Sequence, residues 1–372
     1  MKDVLFIIET LEGGGAEKSL IQLLKQFDYT RYKLTLCIVF NSGIYFDEIP
    51  KGVKIVYLYK KENSYYRKSN RYYKKHNISW FLAFQIRKKT KRHYDVIISF
   101  LEGRSLLFHN FIRTRADKNI SWIHCDLFNF HWTIPSAFNN REQELNCYKN
   151  MDEIVFVSRN TMENFANLYQ IDIPKRCVYN VIDVDEIRRL AGKLVLPHNS
   201  MTITAIGSLS EVKGFDRLIR VAKKFKDDGY SLLFQIIGTG SKEKELVELR
   251  NKLGLQDDFL FLGFKRPPYP YLKASDILVS TSLAEGFSLV ICEAFALGIP
   301  IVATKTAGAI ELLDGGQFGA LTEQDDQSIY DAIKLLVDHE YLRDQCRKLS
   351  EKRAFSFRVE EIMQQIYDLI ES

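Results

Sequence analysis

No stretch of the 372-residue sequence reaches the ~18 consecutive apolar residues that a membrane-spanning helix needs, so no spanning segment is expected. The six cysteines (Cys37, Cys125, Cys147, Cys177, Cys292 and Cys346) include no Cys-x-x-Cys pair, which removes zinc-ribbon and thioredoxin-like readings. They are scattered, mostly in apolar surroundings, as small core residues of a protein in a reducing compartment would be. The dinucleotide spacing Gly-x-Gly-x-x-Gly is missing, and no Walker lysine follows the glycine run at 13–15. No nucleic-acid motif accompanies the basic residues, so nucleic acid is not expected as a partner. The short apolar run at 4–8 has an acidic front and falls short of a secretory signal, so a chain made and kept in the cytoplasm is expected.

What is present is a well-stocked globular composition. Apolar and aromatic residues make up 46% of the chain, enough for more than one core, and the length points to two domains. Short apolar runs at 4–8, 34–40, 54–59, 96–101, 119–124, 153–158 and 178–182 alternate with helical patterns such as 16–27 and 141–150. A second series at 202–208, 232–238, 259–264, 277–282 and 300–304 alternates with helical patterns at 215–226, 243–253, 289–297 and 328–337. Continuous β-branched runs separated by amphipathic helices predict a buried parallel sheet in each half. The fold class is therefore α/β, with two doubly wound Rossmann-like domains at 1–183 and 200–355 facing across a cleft, and a helical tail at 356–372 packing back on the first.

Charge is uneven. The formal net charge is +5, yet twelve basic residues lie between 60 and 92 with only Glu62 opposing them. Tyr65, Tyr66, Tyr72, Tyr73, Trp80, Phe81 and Phe84 are interleaved with them. Basic residues mixed with amphipathic aromatics suit an anionic membrane surface, and a solvated helical face is the plainer alternative.

Four loops carry candidate chemistry. Glu285 and Glu293 bracket a strand-to-helix turn at 277–289, eight residues apart, or about 12 Å if helical throughout. A helix start offers backbone N–H groups of Phe287, Ser288 and Leu289 and a positive dipole end to a diphosphate, and carboxylates at both ends can accept bonds from sugar hydroxyls. Ordinary helix capping explains the same residues. The loop at 207–215 places Gly207, Ser208, Lys213 and Gly214 after a strand, where a lysine can neutralise a departing phosphate or merely be solvated. Gly13, Gly14 and Gly15 follow the first strand and permit close backbone approach or a tight turn. His124 ends another strand, at the cleft edge or as a bonded core histidine. Asp183-Val184-Asp185 has metal-like spacing, but helix capping is the simpler account, and no metal or other cofactor is expected.

Taken in order, these segments resemble the family-four retaining glycosyltransferases of the GT-B fold, of the kind that builds bacterial surface polysaccharides. The resemblance is strongest in "GSLSEVKGFDRLI", "FQIIGTGSKEKEL" and "SDILVSTSLAEGFSLVICEAFALGIPIVAT", and extends to "LEGGGAEKSL" and "SWIHCD". It implies transfer of a hexose or N-acetylhexosamine, with retention, from a nucleotide-sugar donor to a saccharide acceptor, lipid-linked at the inner face of the plasma membrane. It assigns Glu293 to the ribose, Glu285 to the donor sugar, Lys213 to the diphosphate, Gly14 and Gly15 to the donor phosphate, and His124 to the reacting carbon. Catalytic roles fall to Glu285, Lys213 and His124, and donor binding to Gly14, Gly15, Gly207, Ser208, Lys213, Phe287, Ser288, Leu289 and Glu293. Many members have arginine where this chain has Ser208, so a second cation is absent or supplied by Arg104 or Lys305. A nucleotide-sugar epimerase and an inactive nucleotide-sugar-binding protein share the architecture and stand as alternatives.

Overall fold

A computed structural model describes residues 1–194, 196 and 200–372. Pro197, His198 and Asn199, read above as the turn residues of the connecting stretch, lie outside the described residues. The chain divides into two compact units, Met1–Val181 with Glu360–Ser372, and Ile182–Val359.

The first unit is built on seven strands: β1 (Lys2–Ile8), β2 (Tyr32–Phe40), β3 (Lys54–Tyr59), β4 (Tyr94–Ser99), β5 (Ala116–Ile123), β6 (Glu153–Phe156) and β7 (Lys175–Cys177). They pair in the order β3-β2-β1-β4-β5-β6-β7, all parallel. Residues 4–8 of β1 are fully buried, as expected of a central strand covered on both faces. The helix Val359–Glu371 belongs to this unit, where Tyr367 stacks on Tyr32 at 5.1 Å and Lys2 and Lys118 bond the carbonyls of Ile370 and Leu369.

The second unit has six strands: β8 (Thr202–Ile206), β9 (Leu233–Ile237), β10 (Phe259–Phe261), β11 (Ile277–Ser280), β12 (Ile301–Thr304) and β13 (Ala320–Thr322). Their order is β10-β9-β8-β11-β12-β13, again all parallel. The helix Leu289–Leu297 follows β11. Its sequence is apolar all round, and nearly every side chain is buried, since it packs against the helices Glu340–Ala354 and Val184–Ala191. Gly298, at φ +67°, ends it in the left-handed conformation that glycine tolerates.

Three differences from the sequence expectation have physical causes. The run at 178–182 is not a strand. β7 pairs only with β6, and the last ladder bond, Val178 N–H to Phe156 O at 2.9 Å, comes where β6 ends. β5 starts at Ala116, earlier than its apolar run, because its polar start is paired with β4 and Lys118 is held by Glu153 at 3.0 Å. β13 is three residues on an edge, too short to leave a period in the sequence. Among the described residues no helix is long and apolar enough to cross a membrane.

Candidate functional site

Each sheet reverses its winding beside its first strand, between β1 and β4 in one unit and between β8 and β11 in the other. Such switch points open a crevice at the carboxyl ends of the strands, where ligands of doubly wound sheets bind. The loops singled out from sequence follow just these strands.

In the second unit, residues 207–214 leave β8 and residues 281–288 leave β11. They are tied together by the backbone bond Leu283 N–H to Val212 O at 2.7 Å and by Thr281 Oγ1 donating to Lys213 O at 2.8 Å. Arg217 locks the same junction from below, donating to Thr281 O at 2.7 Å and to Gln324 O at 2.8 Å. Gly214 has φ +60°, and an added Cβ would lie 2.5 Å from Thr281 O, so only glycine fits between the loops. Gly207 lets the Lys213 stem pass 3.3 Å from where its own Cβ would be.

The outcome is an ion pair between Lys213 Nζ and Glu285 Oε1, with Ser282 Oγ donating to the same oxygen at 2.8 Å. Burial pushes the Glu285 carboxyl up, but the Lys213 charge, its hydrogen bond and those of Ser282 and Ser288 outweigh burial and leave it below the usual value. Glu285 therefore lies in the loop, off the helix, and the two glutamates do not share one helical span. Glu293 is on the second turn of Leu289–Leu297 and is 2% exposed. The helix N-cap, Ser288, makes no side-chain cap bond to the helix, whereas Thr306 and Asp325 cap their helices in this unit. Gly308 donates its N–H to Glu285 O at 2.9 Å, and an added Cβ there would press on Phe287 Cα at 2.8 Å, so close packing fixes the 285–288 turn. Ser208 is exposed and bonded to Ser210 at 3.1 Å. Lys305, one of two candidates for a second cation, pairs with Glu323. Asp183 caps Val184–Ala191 by accepting Glu186 N–H at 2.8 Å.

In the first unit Gly13, at φ +113°, turns the chain after β1, and Gly14 precedes the helix Gly15–Gln26 without a side-chain cap. The Glu17 carboxylate folds back over the loop, with Oε2 2.2 Å from the position a Gly14 Cβ would take. Burial, and then the nearby charges of Glu9 and Glu12, push Glu17 up to about 7, so it is readily neutral. Arg104, the other candidate cation, is ion-paired with Glu9 and lies over the rings of Phe40 and Tyr66 at 5.8 and 5.9 Å. His124 directly follows β5 and meets Phe100 in a tilted ring contact at 4.6 Å. Its Nε2 is buried with no hydrogen-bond partner among the described residues, and burial pushes the imidazole down to about 3, which keeps it neutral. Glu102 is fully buried and accepts His124 N–H at 2.9 Å and Trp132 Nε1–H at 3.1 Å, fixing that strand end. Glu9, Glu17, Glu102 and Ser282 were not singled out from sequence. Glu17 lay inside the quoted "LEGGGAEKSL", three residues past Gly14, and that spacing was the available signal.

Residues 186–353 match the model of the family described as glycosyl transferases group 1. Over those residues, which lie in its second unit, the chain is similar to the glycosyl transferases of group 1. The chain is 31% identical over 214 residues to the Campylobacter jejuni N-acetylgalactosamine-N,N'-diacetylbacillosaminyl-diphospho-undecaprenol 4-alpha-N-acetylgalactosaminyltransferase, covering 56% of this chain and 57% of that one. It is 27% identical over 213 residues to the putative colanic acid biosynthesis glycosyltransferase WcaL of Salmonella typhimurium, covering 54% and 52%. The chain thus spans little more than half the length of these curated relatives. Among solved structures it is similar to Anabaena HepE in complex with UDP and glucose, at TM-score 0.80 and 22% identity over the whole of both chains. That likeness shows the fold, an α/β GT-B architecture of two Rossmann-like domains.

Proposed function

We propose that this chain transfers a hexosyl or N-acetylhexosaminyl group, with retention, from a nucleotide-sugar donor to a saccharide acceptor in surface-polysaccharide assembly. The observation that carries this reading is the convergence of Lys213, Glu285 and the start of Leu289–Leu297 at the switch point of the second sheet. A diphosphate is the ligand that such a lysine and helix start favour together. Glu293, buried one turn further along, suits the paired hydroxyls of a ribose, and Glu285 those of the donor sugar.

In the proposed step the bond between the anomeric carbon and the phosphate oxygen breaks. The acceptor oxygen bonds to that carbon on the same face, and the acceptor proton passes to the leaving diphosphate. Lys213 and the helix start stabilise the charge that grows on that diphosphate. Neutral His124, with an uncommitted Nε2, is suited to a hydroxyl and not to a phosphate. No carboxylate acts as nucleophile. Gly14, Gly15 and the adjoining Glu17 complete the assignment on the first unit.

The acceptor is assigned as lipid-linked. Two relatives are named for a diphospho-undecaprenol-linked substrate and for colanic acid, which supports that setting. On this chain the helices Ser64–His76 and Trp80–Lys89 and the link between them expose Tyr65, Tyr72, Ile78, Trp80, Phe81 and Phe84 beside the exposed Lys68, Arg71, Lys75 and Lys88. Apolar rings rimmed by cations suit an anionic membrane surface. The test of transfer is turnover of a panel of UDP- and GDP-sugars with and without a saccharide acceptor, the donor being chosen by thermal shift. Acceptor-dependent product with α-retention supports the reading. Release of a free epimerised sugar without acceptor assigns an epimerase, and binding without any turnover assigns a dead site. Flotation with anionic liposomes, comparing the parent with a variant in which Lys68, Lys75 and Lys88 are glutamine, tests the membrane contact, and equal flotation of both discards it.

A further inference from the structure

A cavity of about 400 Å³ lies on the flank of the first unit, and none of the switch-point residues lines it. Three helices build it. Ser64–His76 supplies Tyr73 and its left-handed cap Asn77, Arg104–Asn110 ends at Asn110, and Arg141–Tyr148 with its flanks supplies the remainder. The lining is unusual in kind. Six of its ten residues are asparagine and one is Gln143, while no lysine or arginine is among them.

These amides are oriented by the protein. Gln143 donates Nε2–H to Asn77 Oδ1 at 3.0 Å and accepts Asn139 N–H at 2.9 Å, and Asn140 Oδ1 accepts Gln143 N–H at 2.9 Å. Asn150 donates to Asn110 Oδ1 at 3.3 Å and to Asn146 O at 2.8 Å. Each bond uses one end of an amide and fixes the other. Asn77 Nδ2 and Asn140 Nδ2 remain as donors, Asn150 Oδ1 remains as an acceptor, and the whole Asn146 amide is uncommitted among the described residues.

The chemistry selects the ligand. A primary amide offers two donors and an acceptor in one plane, the complement of hydroxyls that each donate and accept. No lysine or arginine lines the cavity itself; Arg113 adjoins it through Asn110 O at 3.2 Å, while Glu142 on the rim repels a phosphate, sulfate or carboxylate. An apolar ligand would strand the amides. The volume is in the range of small-ligand sites. We infer that this amide-lined cavity is a binding site for a neutral saccharide, separate from the donor site. The inference deepens the transferase reading by giving the saccharide partner a second hold on the first unit, and it uses no residue of the second unit. Asn77 and Tyr73 sit on the helix whose outer face carries the exposed tyrosines and lysines, so a saccharide presented at a lipid surface reaches the cavity.

The full-length chain, applied to an array of neutral, sulfated and sialylated oligosaccharides, is expected to bind neutral glycans. The strongest neutral binder is then titrated calorimetrically into the parent, Asn146→Leu and Asn146→Lys. Asn146 is exposed and has no side-chain bond to lose, so both variants should melt with the parent. Affinity is expected to fall about tenfold or more in both, with the thermal shift given by UDP or GDP unchanged. Binding confined to charged glycans, no glycan binding, or equal affinity in both variants overturns the inference. Failure of every nucleotide to stabilise the parent sinks the transferase reading instead and leaves the cavity assignment standing.

Discussion

The two sheets wind in the same order around their first strands, yet the carboxyl groups at their switch points live in opposite electrostatic conditions. In the second unit Glu285 is buried beside Lys213, and the lysine holds it ionised. In the first unit Glu17 lies half-buried over Gly14, with the carboxylates of Glu9 and Glu12 near it. Burial therefore governs Glu17 and carries it to about 7. The topology supplies the place, and a single cation decides whether the acid there is a fixed charge or a titrating group.

The largest way to break this contrast is Lys213→Ala. Turnover is expected to fall about 10²–10³-fold, the usual cost of removing one group that stabilises developing charge. Stability should fall as well, by about 3 kcal/mol, because Glu285 is left buried without its partner. The pH dependence should also weaken. In the parent, the pair's contribution is complete above the ordinary carboxyl value and is lost as pH falls through the lowered folded value. In the variant the Lys213 charge and bond are gone and Ser282 and Ser288 alone oppose burial, so that acid-side loss should shrink. Adding Glu285→Gln to Lys213→Ala should restore melting without restoring turnover, which separates the two roles.

Glu293→Ala comes next. Loss of charged hydrogen bonds worth about 1.5–3 kcal/mol corresponds to a donor KM raised about ten- to a hundredfold. Steady-state kinetics against donor concentration measures it, and an unchanged KM removes Glu293 from the ribose. Smaller again is Glu17→Gln. The folded chain holds an extra proton on Glu17 between the ordinary 4.5 and about 7, so stability declines as pH rises through that window. The amide escapes this penalty. Melting at pH 8.5 should rise by on the order of 1–2 kcal/mol of stability, with little change at pH 4. Equal melting curves at both pH values would show Glu17 to be ionised at no cost.

Much of this arrangement could be read from the chain, but unevenly. A central strand such as β1 announces itself because burial on both faces demands an unbroken apolar run, here residues 4–8. β7 and β13 do not, since a three-residue edge strand has no period to show. The Lys213 and Glu285 loops were legible as loops after strands, and the resemblance named their roles. Their contact joins residues 72 apart and exists only because β8 and β11 are neighbours in space. The state of Glu17 was less accessible still. It depends first on burial, which the folded first unit alone sets, and then on the nearby charges of Glu9 and Glu12. The amide-lined cavity draws on three helices: Asn139, Gln143, Asn146 and Asn150 keep a helical spacing, but Asn77 and Asn110 come from distant parts of the chain.

The finest test of the comparison is to add charge where this chain has none. Ser208 is exposed after β8, on the same loop as Lys213, and its hydroxyl is bonded within the loop to that of Ser210 at 3.1 Å. Neither Arg104 nor Lys305 is spare, since each is committed to a carboxylate of its own. Ser208→Arg should therefore supply a cation that the loop lacks, at a position where little structure is displaced. An exposed ion pair is worth up to about 1 kcal/mol, so donor KM should fall by no more than about fivefold, and less at high salt. Turnover should change little if Lys213 and the helix start already carry the departing charge. A rise in kcat larger than the fall in KM would mean that Lys213 alone leaves the diphosphate under-stabilised in the transition state, and that the single-cation site is a compromise of this chain.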